Sequence, residues 1–295
     1  MPAPALPVLA VVQLAARTSL SPAEFEHLLA AKARQARERG AELVLFPAYL
    51  GLTLLAGGWS FDSLGPALAG TGAVRQAYLD GAARVARAEG VYLAPGSLIE
   101  AEPAGLVHAG YLFSPAGEIL ARRLQVHVSP AERRWGLVGG DAIDPVRTPW
   151  GKAGFLLGTD ACYPETARIL TLQGTGILLA PAAHPVAAGP WPQIAGLWRE
   201  AQANQVHAAE ACLTGELGGR VFGGHSAVYG PNEATPGESG VLARSGPEED
   251  ILVVRVDPRW EEKIVRYRVL ELMEAGVYAR QLPPAYARRG RGEGP

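Results

Sequence analysis

The chain has 295 residues, a formal net charge of −2 and a hydrophobic fraction of 48%. This length allows one large hydrophobic core or two small ones, and the near-neutral charge argues against a nucleic-acid or membrane-surface partner. Two cysteines, Cys162 and Cys212, are too few for a disulfide framework and favour a reducing cytoplasm. The first apolar stretch, residues 8–14, is about half as long as a membrane span and has no basic leader, so we expect a buried strand.

Hydrophobic periodicity and turn residues predict short strands that alternate with amphipathic helices. In chain order, the pattern predicts strand 8–14, helix 22–39, strand 43–46, helix 73–89, strand 92–95, hairpin strands 107–113 and 118–128, strand 153–158, helix 165–173, strand 177–179, helix 197–206, strands 208–212, 225–230 and 251–256, and helix 261–272.

The mixture of β-α-β crossovers and hairpins indicates an α/β protein with helices outside and two sheets inside. We therefore expect a four-layer α-β-β-α sandwich formed by one domain over residues 1–279. Residues 280–295 combine arginines with prolines and glycines, which predicts a flexible basic tail.

Three blocks occur in a characteristic order along the chain. Residues 40–49 read Gly-Ala-Glu-Leu-Val-Leu-Phe-Pro-Ala-Tyr, residues 117–128 read Gly-Glu-Ile-Leu-Ala-Arg-Arg-Leu-Gln-Val-His-Val, and residues 154–165 read Gly-Phe-Leu-Leu-Gly-Thr-Asp-Ala-Cys-Tyr-Pro-Glu. Together the blocks resemble the nitrilase, or carbon-nitrogen hydrolase, superfamily. The resemblance implies the sandwich fold and the hydrolysis or condensation of nonpeptide C–N bonds by a glutamate, a lysine and a cysteine.

All three catalytic positions implied by the resemblance hold other residues. The glutamate base is replaced by Ala48, the lysine by Gln125 and the cysteine nucleophile by Gly158. A methyl group cannot accept a proton, a carboxamide carries no charge, and glycine offers no nucleophile. No lysine occurs between Lys32 and Lys152, so a shifted alignment does not restore the set. The chain is thus predicted to be a pseudoenzyme.

Cys162 is the fallback nucleophile because it follows the predicted elbow by four residues. It would need Glu132 or Asp160 as its base. The alternative is a small, half-buried apolar residue, and nearby carboxylates would raise the pKa of its thiol rather than lower it. Cys212 ends a predicted buried strand and is assigned to the core.

Several other residues are candidates for binding a ligand. Tyr49 falls on a loop that borders the pocket in the resembling family, and Glu132 matches a supporting glutamate beside the lysine there. Asp160 lies in the loop after the elbow, and His184 follows a strand end near the expected cavity rim. Glu132 lacks its lysine partner, so we expect it to be protonated, turned to solvent or, preferentially, paired with an arginine. Gly158 is expected to have a positive φ, since glycine relieves the strain of an elbow.

The leading prediction is a non-catalytic homologue that binds a small amide, nitrile or carboxylate, or that serves as a subunit beside an active relative. A carbon-nitrogen hydrolase rebuilt on Cys162 and a structural protein with a filled cavity remain the alternatives. No phosphate-binding loop or metal-ligand spacing predicts a cofactor or metal. The resemblance also implies a homodimer or a higher homo-oligomer.

Overall fold

The structure is a computed structural model that describes residues 6–68, 71–259 and 273–290. Its strands are β1 Val8–Ala15, β2 Leu43–Leu45, β3 Tyr92–Ala94, β4 Ser97–Glu102, β5 Gly105–Phe113, β6 Ile119–Leu124, β7 Val146–Thr148, β8 Gly151–Phe155, β9 Thr175–Ala182, β10 His207–Leu217, β11 Arg220–Gly223, β12 Ala227–Tyr229, β13 Val241–Arg244 and β14 Asp250–Arg255. Its helices are α1 Pro22–Glu38, α2 Leu64–Ala67, α3 Thr71–Glu89, α4 Pro130–Arg134, α5 Pro164–Leu172, α6 Trp191–Gln193, α7 Arg199–Asn204 and α8 Ala275–Gly290.

The strands form two halves of one curled sheet. In the first half β1 and β3 run parallel to β2, β14 runs antiparallel to β1, and β5 pairs antiparallel with β3, β4 and β6. In the second half β9 runs parallel to β8 and β10, and β12 pairs antiparallel with β10 and β13. The halves join where Leu14 at the end of β1 pairs with Leu213 of β10.

Alternation along β1 shows how the layers arise. Leu9 and Val11 face the core between the two halves of the sheet, together with residues of β8, β9 and β10. Ala10 and Val12 face the opposite side, where they join the core beneath α1 and α3. A third core lies between the second half and the helices α5 and α7. The predicted α-β-β-α sandwich is confirmed.

Helix α1 begins where its sequence predicts a helix start. Ser21 caps the backbone N–H of Glu24, and the Glu24 side chain accepts a hydrogen bond from the Ser21 backbone, which forms a capping box. Phe25, Leu29 and Ala33 recur at helical spacing and are buried against the sheet.

The predicted elements within the described residues are confirmed with shifted ends, and short elements were missed. Strands β7, β11 and β13 and helix α4 have too few residues to show a periodic pattern, and the six-residue strand β4 was missed as well. The predicted tail boundary at residue 280 falls inside α8, which runs from Ala275 to Gly290, and the Tyr286 hydroxyl donates to Glu165 at 2.7 Å. The predicted helix 261–272 and residues 291–295 lie outside the described residues.

Candidate functional site

Two of the three predicted catalytic positions lie in the wall of one cavity. Ala48 follows β2, and its backbone N–H donates to the carbonyl of Ala182 at the end of β9 at 3.2 Å. Gly158 follows β8, which is the parallel neighbour of β9. The carboxyl ends of strands from both halves of the sheet therefore meet at a cavity of about 300 Å³ that Ala48 and Gly158 both line. Because this space is open, the alternative of a filled cavity is wrong.

The third position, Gln125, lies directly behind Gly158. Its side chain is 1% exposed. A Cβ atom built on Gly158 would lie 2.8 Å from the carboxamide carbon, nitrogen and oxygen of Gln125, which is closer than such atoms approach. The carboxamide thus takes the space that a side chain at position 158 would need.

Gly158 has a φ of +53°, which confirms the expectation of a positive φ at the elbow. L-residues with a side chain rarely adopt this left-handed backbone, and glycine does so without steric cost. The elbow geometry is therefore retained without a nucleophile on it.

Gln125 is the centre of a buried hydrogen-bond network. Its carbonyl oxygen lies 2.6 Å from Nδ1 of His108, and the other ring nitrogen of His108 lies 2.6 Å from the Ser97 hydroxyl. Its amide nitrogen donates to the His127 carbonyl at 2.8 Å and to the Glu132 carboxylate at 3.0 Å. Burial lowers the pKa of His108, so the ring is neutral at pH 7 and donates from Nδ1 to the carboxamide.

The expected arginine partner of Glu132 is absent among the described residues, and the prediction of a salt bridge is wrong. Glu132 is 3% exposed. Its carboxylate instead accepts hydrogen bonds from the Tyr49 hydroxyl at 2.8 Å, from the Gln125 amide and from the Ser129 backbone N–H at 2.8 Å. The Ser129 bond is half of a capping box at the start of α4, so the carboxylate is fixed by a local helix signal.

These hydrogen bonds determine the ionisation of Glu132. Burial raises the pKa of its carboxyl, whereas attraction to His108 and the hydrogen bonds from Ser129 and Tyr49 lower it, with a net lowering. At pH 7, where His108 is neutral, the hydrogen bonds are what favour the charged form of the Glu132 carboxyl. Glu132 is thus an anion whose acceptor capacity is used by the protein, although it lines the cavity.

Asp160 does not face the cavity, so the expectation that it contacts a ligand or serves as the base for Cys162 is wrong. Its carboxylate accepts the backbone N–H groups of Val126 at 3.1 Å and His127 at 2.7 Å, and one oxygen lies 3.0 Å from Nδ1 of His127. Burial outweighs these bonds and raises its pKa. Asp160 therefore ties the loop after β6 to the elbow after β8.

Cys162 lines the cavity with an exposed side chain. Burial of its sulfur raises the pKa of the thiol, and the carboxylates of Glu210, Glu200 and Asp160 raise it further, while Arg199 lowers it. The direction agrees with the prediction, but burial and not the neighbouring carboxylates is its largest cause. The thiol is reachable from the cavity but is not activated as a thiolate. Cys212 is fully buried, as predicted.

His184 lines the same cavity and is paired with an acid that the sequence did not single out. Its Nε2 lies 2.7 Å from Oε1 of Glu210, which is 2% exposed on β10. Burial lowers the pKa of His184, but the charge and the hydrogen bond of Glu210 outweigh it and raise the pKa overall. A lone glutamate in the buried segment 207–212 is the sequence signal that could have identified this pair.

Arg220 at the start of β11 supplies the cavity with a cation that sequence reasoning missed. Its guanidinium carbon lies 4.7 Å from the ring centre of Phe61 and 5.6 Å from that of Trp135. Its ion-pair partner is Asp62 at 3.5 Å, whose side chain is 96% exposed. Stacking on two rings fixes the guanidinium, while its weak partner leaves most of its N–H donors free.

Comparison with known proteins places the chain in a family. A model of carbon-nitrogen hydrolases matches residues 8–263. The chain belongs to the carbon-nitrogen hydrolase family. The superfamily recognised from the three sequence blocks is thereby confirmed.

Relatives of this family member are amidases. The omega-amidase NIT2 of Xenopus tropicalis is 29% identical over 187 residues, which cover 59% of this chain and 64% of that protein. Omega-amidase NIT2-A of Xenopus laevis is 30% identical over 194 residues, with coverages of 61% and 67%. This chain thus matches slightly less than two thirds of the length of the first relative.

Solved structures show the same fold. A variant of the amidase from Nesterenkonia sp. AN1 aligns with a TM-score of 0.76 at 24% identity, covering 95% of this chain and 98% of that chain. A crystal structure of an amidase from Nesterenkonia sp. aligns with a TM-score of 0.72 at 25% identity. Within the described residues, no helix is both long and apolar enough to cross a membrane.

Proposed function

We propose that this carbon-nitrogen hydrolase homologue binds a small amide or carboxylate in the cavity and does not hydrolyse it by the glutamate, lysine and cysteine chemistry of its family. The observation that carries this proposal is the open cavity beside Ala48 and Gly158, with a buried carboxamide behind it. Binding requires space and complementary groups, both of which remain. Hydrolysis requires a base, a cation and a nucleophile in contact, and these three positions supply none.

Arg220 favours a ligand that carries a carboxylate. A guanidinium binds carboxylates through parallel hydrogen bonds, and the aromatic rings beside it offer an apolar wall to the rest of the ligand. A cavity of about 300 Å³ limits that ligand to a small molecule. The relatives are amidases, which supports amides as uncharged ligands of the same cavity.

Titration calorimetry with butyrate and butyramide tests the proposal, because the two compounds share a shape and differ in charge. We expect both compounds to bind. We expect Arg220→Gln to raise the dissociation constant of butyrate roughly 10-fold or more and to change that of butyramide by no more than about twofold. Arg84→Gln is the matched control, since Arg84 pairs with Glu26 on the α1–α3 surface away from the cavity. Absence of binding by any small amide or acid would contradict the proposal.

A hydrolase rebuilt on Cys162 is the second candidate, and the activity of the relatives favours it over a loss of catalysis. Cys162 lines the same cavity as the His184–Glu210 pair, which offers the histidine base that the predicted Glu132 and Asp160 do not. The raised pKa of the thiol opposes this candidate. Turnover of small amides that disappears in Cys162→Ala would establish it.

The quaternary structure and location of the protein stay predictions. The family resemblance implies a homodimer, and the two reduced cysteines favour the cytoplasm. A role as a non-catalytic subunit beside an active relative would be tested by co-purification of the two chains.

A further inference from the structure

A second cavity adjoins the first and has its own charge pattern. It measures about 530 Å³ and shares His184, Pro185 and Phe222 with the first cavity, the one lined by Ala48 and Gly158. Its remaining wall comes from the loop after β9, from Gln193 of α6 and from the ends of β11 and β13. The two cavities therefore adjoin along a shared wall.

The groups that line the second cavity are apolar, neutral polar or basic. Its ionisable residues are Arg244, His184 and His225, and no aspartate or glutamate is among the described residues that line it. Pro185, Val186, Pro190, Phe222 and Pro247 form apolar surface around them. Val186 is 58% exposed, so a ligand seated here would cover apolar area that solvent now contacts.

Arg244 carries the permanent charge of this cavity. One of its terminal nitrogens donates to Oε1 of Gln193 at 3.0 Å, and no carboxylate of the described residues lies within ion-pair distance of the guanidinium. Gln193 is itself fixed, because its amide nitrogen donates to Glu210 at 2.7 Å and to the His225 carbonyl at 2.8 Å. The guanidinium is therefore oriented by a neutral partner and has N–H donors left for an anion.

The backbone at this wall has an unusual conformation that brings His225 to the cavity. Gly224 has a φ of +69° and His225 a φ of +64°. A Cβ at Gly224 would lie 2.5 Å from the Gln13 amide, so glycine is required there. Positive φ at a non-glycine residue is costly and is concentrated at binding sites.

From this arrangement we propose that the second cavity is a binding site for a small organic anion, namely a carboxylate with an apolar body, held by Arg244. The apolar walls select the body and the guanidinium selects the charge. This site is distinct from the first cavity, where Arg220 is the cation, and it does not depend on the function proposed above.

Benzoate and benzamide are suitable probes because they have the same shape and differ in charge. Ligand-observed NMR titrations of the wild-type protein should show benzoate binding at least about 10-fold more tightly than benzamide. Arg244→Gln should reduce that preference by weakening benzoate, and Arg244→Lys should retain part of it, because lysine keeps the charge without the planar guanidinium.

Arg220→Gln separates the two cavities. Benzoate affinity that is unchanged in Arg220→Gln and lost in Arg244→Gln places the anion in the second cavity. Equal affinity for benzoate and benzamide, or benzoate binding that depends on Arg220 and not on Arg244, would overturn the inference. Butyrate binding in the first cavity is read out independently by the Arg220 variant, so the two proposals fail separately.

Discussion

The carboxamide of Gln125 lies where a side chain on Gly158 would have to start, at 2.8 Å from an ideal Cβ. The two residues therefore depend on each other, because a side chain at position 158 would have to adopt a left-handed backbone and displace the buried amide behind it.

Replacement of Gly158 by alanine should consequently destabilise the fold by about 2–4 kcal/mol, through backbone strain and steric overlap. Gly40→Ala is the matched control, since Gly40 has a φ of +89° with no atom within 4 Å of its Cβ, and should cost only about 1 kcal/mol. Urea denaturation measures both. In a Gln125→Ala background the cost of Gly158→Ala should fall by at least about 0.5 kcal/mol, and additive effects would contradict the contact.

Glu132 gives the stability a pH dependence at the acid end. Its pKa is lowered in the folded state from 4.5, so its stabilisation is present above that value and is lost as the pH falls through the folded pKa. Glu132→Gln should cost about 1.5–3 kcal/mol at pH 7, because the charge-assisted bonds from Tyr49 and Ser129 are weakened. The difference between wild type and variant should shrink below pH 4.5, and the exposed Glu38→Gln should show no such trend.

The His184–Glu210 pair predicts a dependence of opposite sign. The pKa of His184 is raised above 6.5, so its contribution to stability is complete below that pH and is lost as the pH rises through the folded value. NMR titration of the His184 ring should show the raised pKa in the wild type and a lower one in Glu210→Gln. The free energies of unfolding of the two proteins should differ more at pH 5.5 than at pH 8.5. An unchanged pKa of the His184 ring in Glu210→Gln would refute the pairing.

Alkylation by iodoacetamide tests the state of Cys162. Because burial and three carboxylates raise the pKa of its thiol, Cys162 should react at least about threefold more slowly than free cysteine at pH 8. Arg199→Gln should slow it further, since Arg199 lowers that pKa. The buried Cys212 is an internal control that should react only after unfolding. Alkylation of Cys162 that is faster than that of free cysteine would identify an activated nucleophile.

The fold was predictable because β1 is a continuous apolar run of strand length and α1 shows the helical period of 3.6 residues. The positions of Ala48, Gln125 and Gly158 followed from sequence blocks around them, and their contacts followed only from the structure. Arg220 gave little signal, because a residue on a short strand becomes part of a site only through contacts that the fold creates. The same holds for Glu132, whose expected arginine is replaced by Tyr49 and Ser129.

Ammonia release from a panel of small amides, at protein concentrations high enough to detect very slow turnover, tests the central claim most directly. Wild-type protein and Cys162→Ala should both be indistinguishable from the buffer blank, while calorimetry on the same samples registers ligand binding. Steady ammonia release by the wild type that Cys162→Ala abolishes would show instead that the cavity has kept a working nucleophile.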